Sequence, residues 1–299
     1  LTAQGDRLRA ECFSACNGVY ARMDIFQNAL EGEILYGTTN VDIGPDLRKA
    51  LFKIKQGDRL NLRIGEEGWK SLHSRTLSGG SELTDIFIER SVQMPDRWIR
   101  ALGNCAMLHQ KMKYRFHLEG MQAKAFMASL PAATGKEQSG WLTPTKTGAS
   151  LNFREEKDSV YISGLHRLSA LKRMMSHVQE IYFYAPEGDA PGQMMLEVCM
   201  NGARLTLSLT AKSYEGYSGE GALLESLSDM RTLENADSID SVLNFESKLD
   251  LEQMAKSMKM GKTDLSDAME LLAVSGKLGF DVHEKAFFHR ELPEDPDRV

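Results

Sequence analysis

Met194-Met-Leu-Glu-Val-Cys199 and Ala203-Arg-Leu-Thr-Leu-Ser-Leu-Thr210, separated by Asn201-Gly202, decide the fold class of this chain. Leu205, Leu207 and Leu209 alternate with polar residues, which is the period of a strand with one buried side. Asn-Gly accepts the positive φ angles of a type I′ turn, so the two runs predict a β-hairpin. Upstream, Glu180-Ile-Tyr-Phe-Tyr184 reads as a further strand, closed by the turn cluster Pro186-Glu-Gly-Asp-Ala-Pro-Gly192.

The pattern changes outward from that core. A strand over 159–163 precedes a helix over 164–179, in which Leu168, Leu171, Met175 and Val178 share one side. Residues 131–150, rich in Gly, Thr, Ala and Ser, read as a surface loop or junction. Towards the start, residues 1–30 read as helical and 33–43 carry strand-type residues. Leu47, Ala50, Leu51 and Ile54 have helical spacing, and 59–64 and 85–92 are alternating strands around Ser78-Gly-Gly-Ser81. A long helix is expected from Met94 to about Leu130, where Pro131 stops it. Beyond the hairpin, Ala222–Leu227 and a short segment within 228–247 read as helical. Helices then follow over 251–260 and 263–274, and a final hairpin over 277–282 and 285–289. The expected architecture is α+β: a mixed two-segment α/β body with a C-terminal winged-helix-like tail. The expected domains are 1–130, 131–247 with the hairpin and a Gly-rich loop, and 248–299.

Composition bounds the function classes. The chain has 299 residues, 36 Lys+Arg against 42 Asp+Glu, a net charge of −6 and a pI of 5.7. Apolar residues at 42% exclude global disorder, and no apolar run reaches the ~18–20 residues of a membrane helix. A polar start without an apolar signal core predicts a cytoplasmic protein. The missing initiator Met predicts a fragment or trimmed product. Four scattered cysteines fit a reducing compartment, and Cys12-x3-Cys16 lacks the further ligands of a structural zinc site. The 16 methionines suit an adaptable core or a partner groove.

No catalytic constellation, cofactor motif or metal set is certified by spacing. Gly216, Ser218, Gly219 and Gly221 before a helix form a candidate ligand loop. However, the stretch matches neither phosphate-binding pattern, and Glu220 repels an anion. Gly135-Lys136 lacks the earlier glycine of a Walker loop. His283 and His289 are six apart, not the four of a zinc-protease helix. Arg97, Arg100, Lys111, Lys113 and Arg115, with Lys124, interleave with Trp98, Tyr114 and Phe116, a combination suited to single-stranded nucleic acid. The tail adds Lys256, Lys259, Lys277, Lys285 and Arg290, although Asp267 and Glu270 point outward from its second helix. Residues 214–270 hold 13 acids and 5 bases, a net of −8 that suits protein partners.

Several segments resemble the bacterial SWIM zinc-finger family. They are Gly37-Thr-Thr-Asn-Val-Asp-Ile43 with Leu47–Leu51, Val92–Ile99, Tyr214-Glu-Gly-Tyr-Ser-Gly-Glu-Gly-Ala-Leu-Leu224, and Ala273–Pro293 with its Phe-Phe-His-Arg-Glu-Leu-Pro ending. The resemblance implies a MoxR-type AAA+ ATPase and a von Willebrand A-domain protein as partners. It also implies a zinc finger of the form Cys-x-Cys…Cys-x-His after Val299. No Cys-x-Cys occurs in the chain, so no zinc ligand carries over, and zinc is expected only if that finger follows. The leading expectation is therefore a non-enzymatic adaptor. The alternatives are a nucleic-acid-binding protein, using the tail or residues 97–124, and an enzyme with an anion site at 216–221.

Overall fold

The computed structural model describes residues 1–32, 36–55, 57–65, 68–76, 82–188, 191–219 and 230–292. In chain order the elements begin β1 (Thr2–Gln4), β2 (Arg7–Phe13), β3 (Val19–Phe26), β4 (Gly37–Thr38) and α1 (Pro45–Phe52). Next are β5 (Arg59–Gly65), β6 (Gly68–Thr76), β7 (Glu82–Arg90), α2 (Asp96–Gln110), β8 (Met112–Glu119) and α3 (Gly120–Ser129). Then come β9 (Gly140–Thr145), β10 (Gly148–Asn152), β11 (Val160–Ile162), a 3-10 helix (Leu165–Met174), β12 (Val178–Pro186), β13 (Met194–Met200) and β14 (Ala203–Leu209). The last are α4 (Met230–Asp240), α5 (Leu251–Ser257), α6 (Lys262–Val274), β15 (Leu278–Asp281) and β16 (Ala286–His289). The mixed α and β character is as expected; the sheets are antiparallel throughout.

The predicted hairpin is the centre of an eight-stranded sheet of order β4-β1-β2-β3-β14-β13-β12-β8. Its turn differs in detail, because Gly202 alone takes a positive φ (+70°), which is not the type I′ pattern. Strands from both sides of the expected 130/131 boundary share this sheet: β3 pairs with β14 over seven positions, from Ala203↔Ile25 to Leu209↔Val19. Residues 1–30, expected as helix, are three strands followed by a single 3-10 turn at Gln27–Ala29. Their apolar residues Leu8, Ala10 and Cys12 alternate with Arg7, Arg9 and Glu11, and the charges of Arg7 and Arg9 are buried while Glu11 is half-buried. Hydrophobic periodicity cannot report a strand whose inward side is charged. The expected long helix over 94–130 is likewise broken by β8, which takes the sheet's outer edge.

One face of the sheet is apolar. Phe116, Phe183, Leu196, Val198 and Leu207 pack there against α3, the 3-10 helix and the small sheet β10-β9-β11. Phe116 stacks on Phe183 with centroids 4.4 Å apart. The opposite face carries Arg9, Arg22, Arg204 and Glu197, and is covered by α2 and the β15–β16 hairpin. The tail follows the expected helix, turn, helix, hairpin order, and Leu265, Met269 and Leu272 form its core with Ala106 of α2 and Ile239 of α4. The helix expected over 222–227 lies outside the described residues.

Candidate functional site

The register explains why charges gather on one side. Arg9 lies opposite Asp24, which lies opposite Arg204, while Thr206 faces both Arg22 and Glu197. Alternation then sends all of them to the same face. Asp281, at the end of β15, descends into this group. It accepts from Arg22 Nη2 at 2.8 Å, from Arg9 Nη2 at 3.4 Å and from Arg204. Its second oxygen accepts the Glu284 N–H at 3.1 Å, which closes the hairpin turn. Asp24 accepts from Arg9 Nε at 2.5 Å and from Arg22 Nε at 3.0 Å. Arg7 donates to Glu284 at 2.8 Å, and the Arg9 guanidinium lies 3.6 Å from the Phe288 ring centre. Four guanidiniums (Arg7, Arg9, Arg22, Arg204) therefore face four carboxylates (Asp24, Glu197, Asp281, Glu284).

This arrangement fastens; it does not activate. Burial alone would raise the Asp24 pKa, but Arg22, Arg9 and Arg204 outweigh it and hold the group at about 2. Asp281 is lowered on the same balance. Carboxylates so stabilised in the ionised form are poor proton acceptors at neutral pH. Burial and Glu197 push the Cys199 thiol up to about 11, away from nucleophilic reactivity. At the solvent side, Tyr184 Oη donates to Glu197 at 3.0 Å, and His283 Nδ1 sits 3.2 Å from the same oxygen. That hydrogen bond raises the His283 pKa.

A second surface is open to solvent. In the three-stranded sheet β5-β6-β7, register aligns Arg59–Ser74–Thr84, then Asn61–Leu72–Ile86, then Arg63–Lys70–Ile88, then Gly65–Gly68–Arg90 on one face. Arg59, Arg63, Lys70 and Arg90 are exposed, and Ile86 and Ile88 are 60% and 62% exposed. No carboxylate stands in those four rows. The reverse face and α1 line a shared groove, in which His73 Nε2 meets Asp58 at 2.7 Å. The strand register predicted for 59–64 contained this signal in Arg59-Leu-Asn-Leu-Arg63. The middle strand β6 was missed, and without it the cations do not assemble into a face.

The sequence-predicted basic residues are dispersed by comparison. Arg97 and Arg100 are exposed on α2, and Lys111 just beyond its end. Lys113 approaches Glu187 at 4.0 Å, and Arg115 donates to the Pro186 carbonyl. In the tail, Lys277 pairs with Asp240, and Arg290 is buried 3.3 Å from Glu11. Lys256, Lys259 and Lys285 remain exposed. In the candidate ligand loop, Gly216 lies beside the Cys16 backbone, and the Tyr217 ring plugs a cluster with Phe13 and Tyr20. The Tyr217 and Gly219 N–H groups donate to Asn17 and Gly216 carbonyls and so are not free to cradle an anion. Ser218 lies between them, and Gly221 falls outside the described residues. Cys12 lies on β2 and Cys16 in the following turn, not on a shared helix. Among the described residues no group of three His, Cys, Asp or Glu is placed to hold a metal, and no helix is long and apolar enough to cross a membrane.

No family model and no curated protein matches the sequence. Among solved structures, the chain is similar to one in the PCNA2–PCNA3 complex of Sulfolobus tokodaii. Identity is 12%, with 70% of this chain and 88% of that chain covered and a TM-score of 0.48. It is also similar to the proliferating cellular nuclear antigen of Entamoeba histolytica (12% identity, 70% and 86% covered, TM-score 0.43). A third is PCNA from Thermococcus kodakaraensis (9% identity, 70% and 88% covered, TM-score 0.35). At these values the likeness carries no argument about this chain's activity. The expectation of a SWIM-type adaptor beside a MoxR-type ATPase and a von Willebrand A-domain protein is nevertheless corrected. The three similar solved structures named above are PCNA proteins, and no matching family model or curated relative supports the adaptor, its zinc finger or those partners.

Proposed function

We propose that the chain is a non-catalytic, nucleic-acid-associated protein that grips duplex backbone through the exposed face of β5-β6-β7. One observation carries this reading: four cations and no carboxylate occupy four consecutive rows of an open sheet face. Arg59 and Arg63 stand about 13 Å apart along one strand, and Lys70 stands about 5 Å across from Arg63. A spread of that kind meets phosphates over several base pairs, and counterion release supplies the driving force. The face bears no aromatic ring, so it lacks the stacking surface that unpaired bases favour. Ile86 and Ile88 lie between the cations and give apolar contact to sugar and base edges. The net charge of −6 opposes non-specific attraction elsewhere on the molecule and leaves this patch as the local exception.

The test is a salt titration of binding to a labelled duplex, for the wild type and for a variant with Arg59, Arg63, Lys70 and Arg90 each changed to Gln. Four phosphate contacts correspond to a log–log slope of about −3.6, or roughly a hundredfold loss of affinity between ~50 and ~200 mM salt. The variant is expected to bind weakly with a shallow slope. No wild-type binding at ~50 mM salt, or an unchanged slope in the variant, overturns the reading.

A further inference from the structure

At the other end of the eight-stranded sheet, β8 forms an edge, and the side chains beside it form a plate of rings tied to carboxylates. The His117 and Tyr182 rings stack with centroids 5.3 Å apart and planes at 19°. Tyr114, 52% exposed, lies against both at 6.1 and 6.3 Å. Hydrogen bonds fix the group: Tyr114 Oη to His117 Nδ1 at 2.7 Å, His117 Nε2 to Glu119 at 2.8 Å, and Tyr182 Oη to Glu180 at 2.8 Å. The cations of the same strand are turned to other tasks, since Lys113 approaches Glu187 and Arg115 holds the Pro186 carbonyl.

Ring faces carry the negative lobe of the aromatic quadrupole, and carboxylates at their margin deepen it, so the plate attracts cations and repels phosphate. Beside it, β8 has no strand partner on its outer side among the described residues. An extended segment can add there as another strand, and the period of two brings alternate side chains over the rings. We propose that this edge docks an extended, arginine-rich segment of a partner protein, whose guanidinium groups seat on Tyr114 and Tyr182 between Glu119 and Glu180. Charge complementarity selects this occupant, and it makes the plate a second surface of opposite preference to the cationic face of β5-β6-β7.

The probe is a fluorescent nona-arginine peptide, with nona-glutamate as control, measured by anisotropy at near-physiological salt. Binding is expected for nona-arginine alone. Tyr114→Ala should weaken it about tenfold, while Tyr114→Phe retains it. An Asp264→Asn/Glu270→Gln variant, which removes acids on the distant α6, should bind as the wild type does. Three outcomes overturn the proposal. One is unchanged affinity in Tyr114→Ala with its fold intact by circular dichroism. Another is an equal loss in the α6 variant, which means diffuse acidity. The third is an effect of Tyr114→Ala on oligothymidine binding or on oligomeric mass instead, which assigns the edge to nucleic acid or to a second copy.

Discussion

Asp281 answers to three guanidiniums at once, and its removal is the most informative single change in the charged layer. Asp281→Asn leaves Arg9, Arg22 and Arg204 short of a counter-charge in a site from which water is excluded. Breaking a buried pair on one side costs about 3–5 kcal/mol, and urea unfolding at pH 7 is the direct measurement. The same residues predict the acid limb of stability. Asp24 and Asp281 have folded pKa values below their ordinary ones, so their contribution is present above the unfolded value near 3.8 and is lost as pH falls through the folded values, about 2 for Asp24. Denaturant midpoints should therefore fall steeply below pH 4. His283 has the opposite sign. Its raised pKa stabilises below the unfolded value of 6.5, and that contribution disappears as pH rises through the folded one. His283→Gln should flatten this near-neutral decline while leaving the acid limb in place.

Among the elements, the start of β6 depends on one glycine. Gly68 has φ +121°, and a Cβ there would lie 2.2 Å from the Glu89 carbonyl oxygen on the neighbouring strand. Gly68→Ala should cost about 1–3 kcal/mol locally. The expected readout is faster proteolysis between β5 and β7, with duplex binding lost alongside. This element also shows what sequence reading misses. Arg59-Leu-Asn-Leu-Arg63 alternates visibly, whereas Trp69-Lys-Ser-Leu-His-Ser74 mixes polar residues on both sides and gives no period, so the central strand escaped notice. Helices α1 and α6 were legible because each has an apolar side facing a core and a polar side facing water, whereas the hairpin at 194–210 was legible from the alternation over 203–210 and the Asn201-Gly202 turn, although both of its sides are largely buried. β1–β3 were not, since their buried side carries arginines whose counter-charges come from residues up to 277 positions away. β8 was hidden for another reason: Pro131 correctly marked where the helical run stops, but nothing local announced a strand between two helices. Of the cationic face, only the Arg59–Arg63 pair was visible in sequence. Of the ring plate, Tyr114 was visible, but its neighbour Tyr182, with Glu180, arrives from a strand far along the chain.

Over the whole molecule, the eight-stranded sheet is assembled from three separated stretches of sequence, 2–38, 112–119 and 178–209. Residues 1–130 alone would present β3 without β14 and β8 without β12, with the apolar side lacking β9–β11 and the 3-10 helix and the charged side lacking the β15–β16 hairpin. That fragment should lack the dispersed amide spectrum of a folded protein, and adding residues 131–299 in trans should restore it only if the sheet can close. The interleaving also sets an order of events. A ribosome makes Arg7, Arg9, Arg22 and Arg204 well before Asp281, so the nascent sheet carries four positive groups faced by three carboxylates, Asp6, Asp24 and Glu197. The closing hairpin cannot slide to a neighbouring register, because a shift by one residue turns Asp281 away from that excess. Its arrival acts as a keystone, and translation ends the wait.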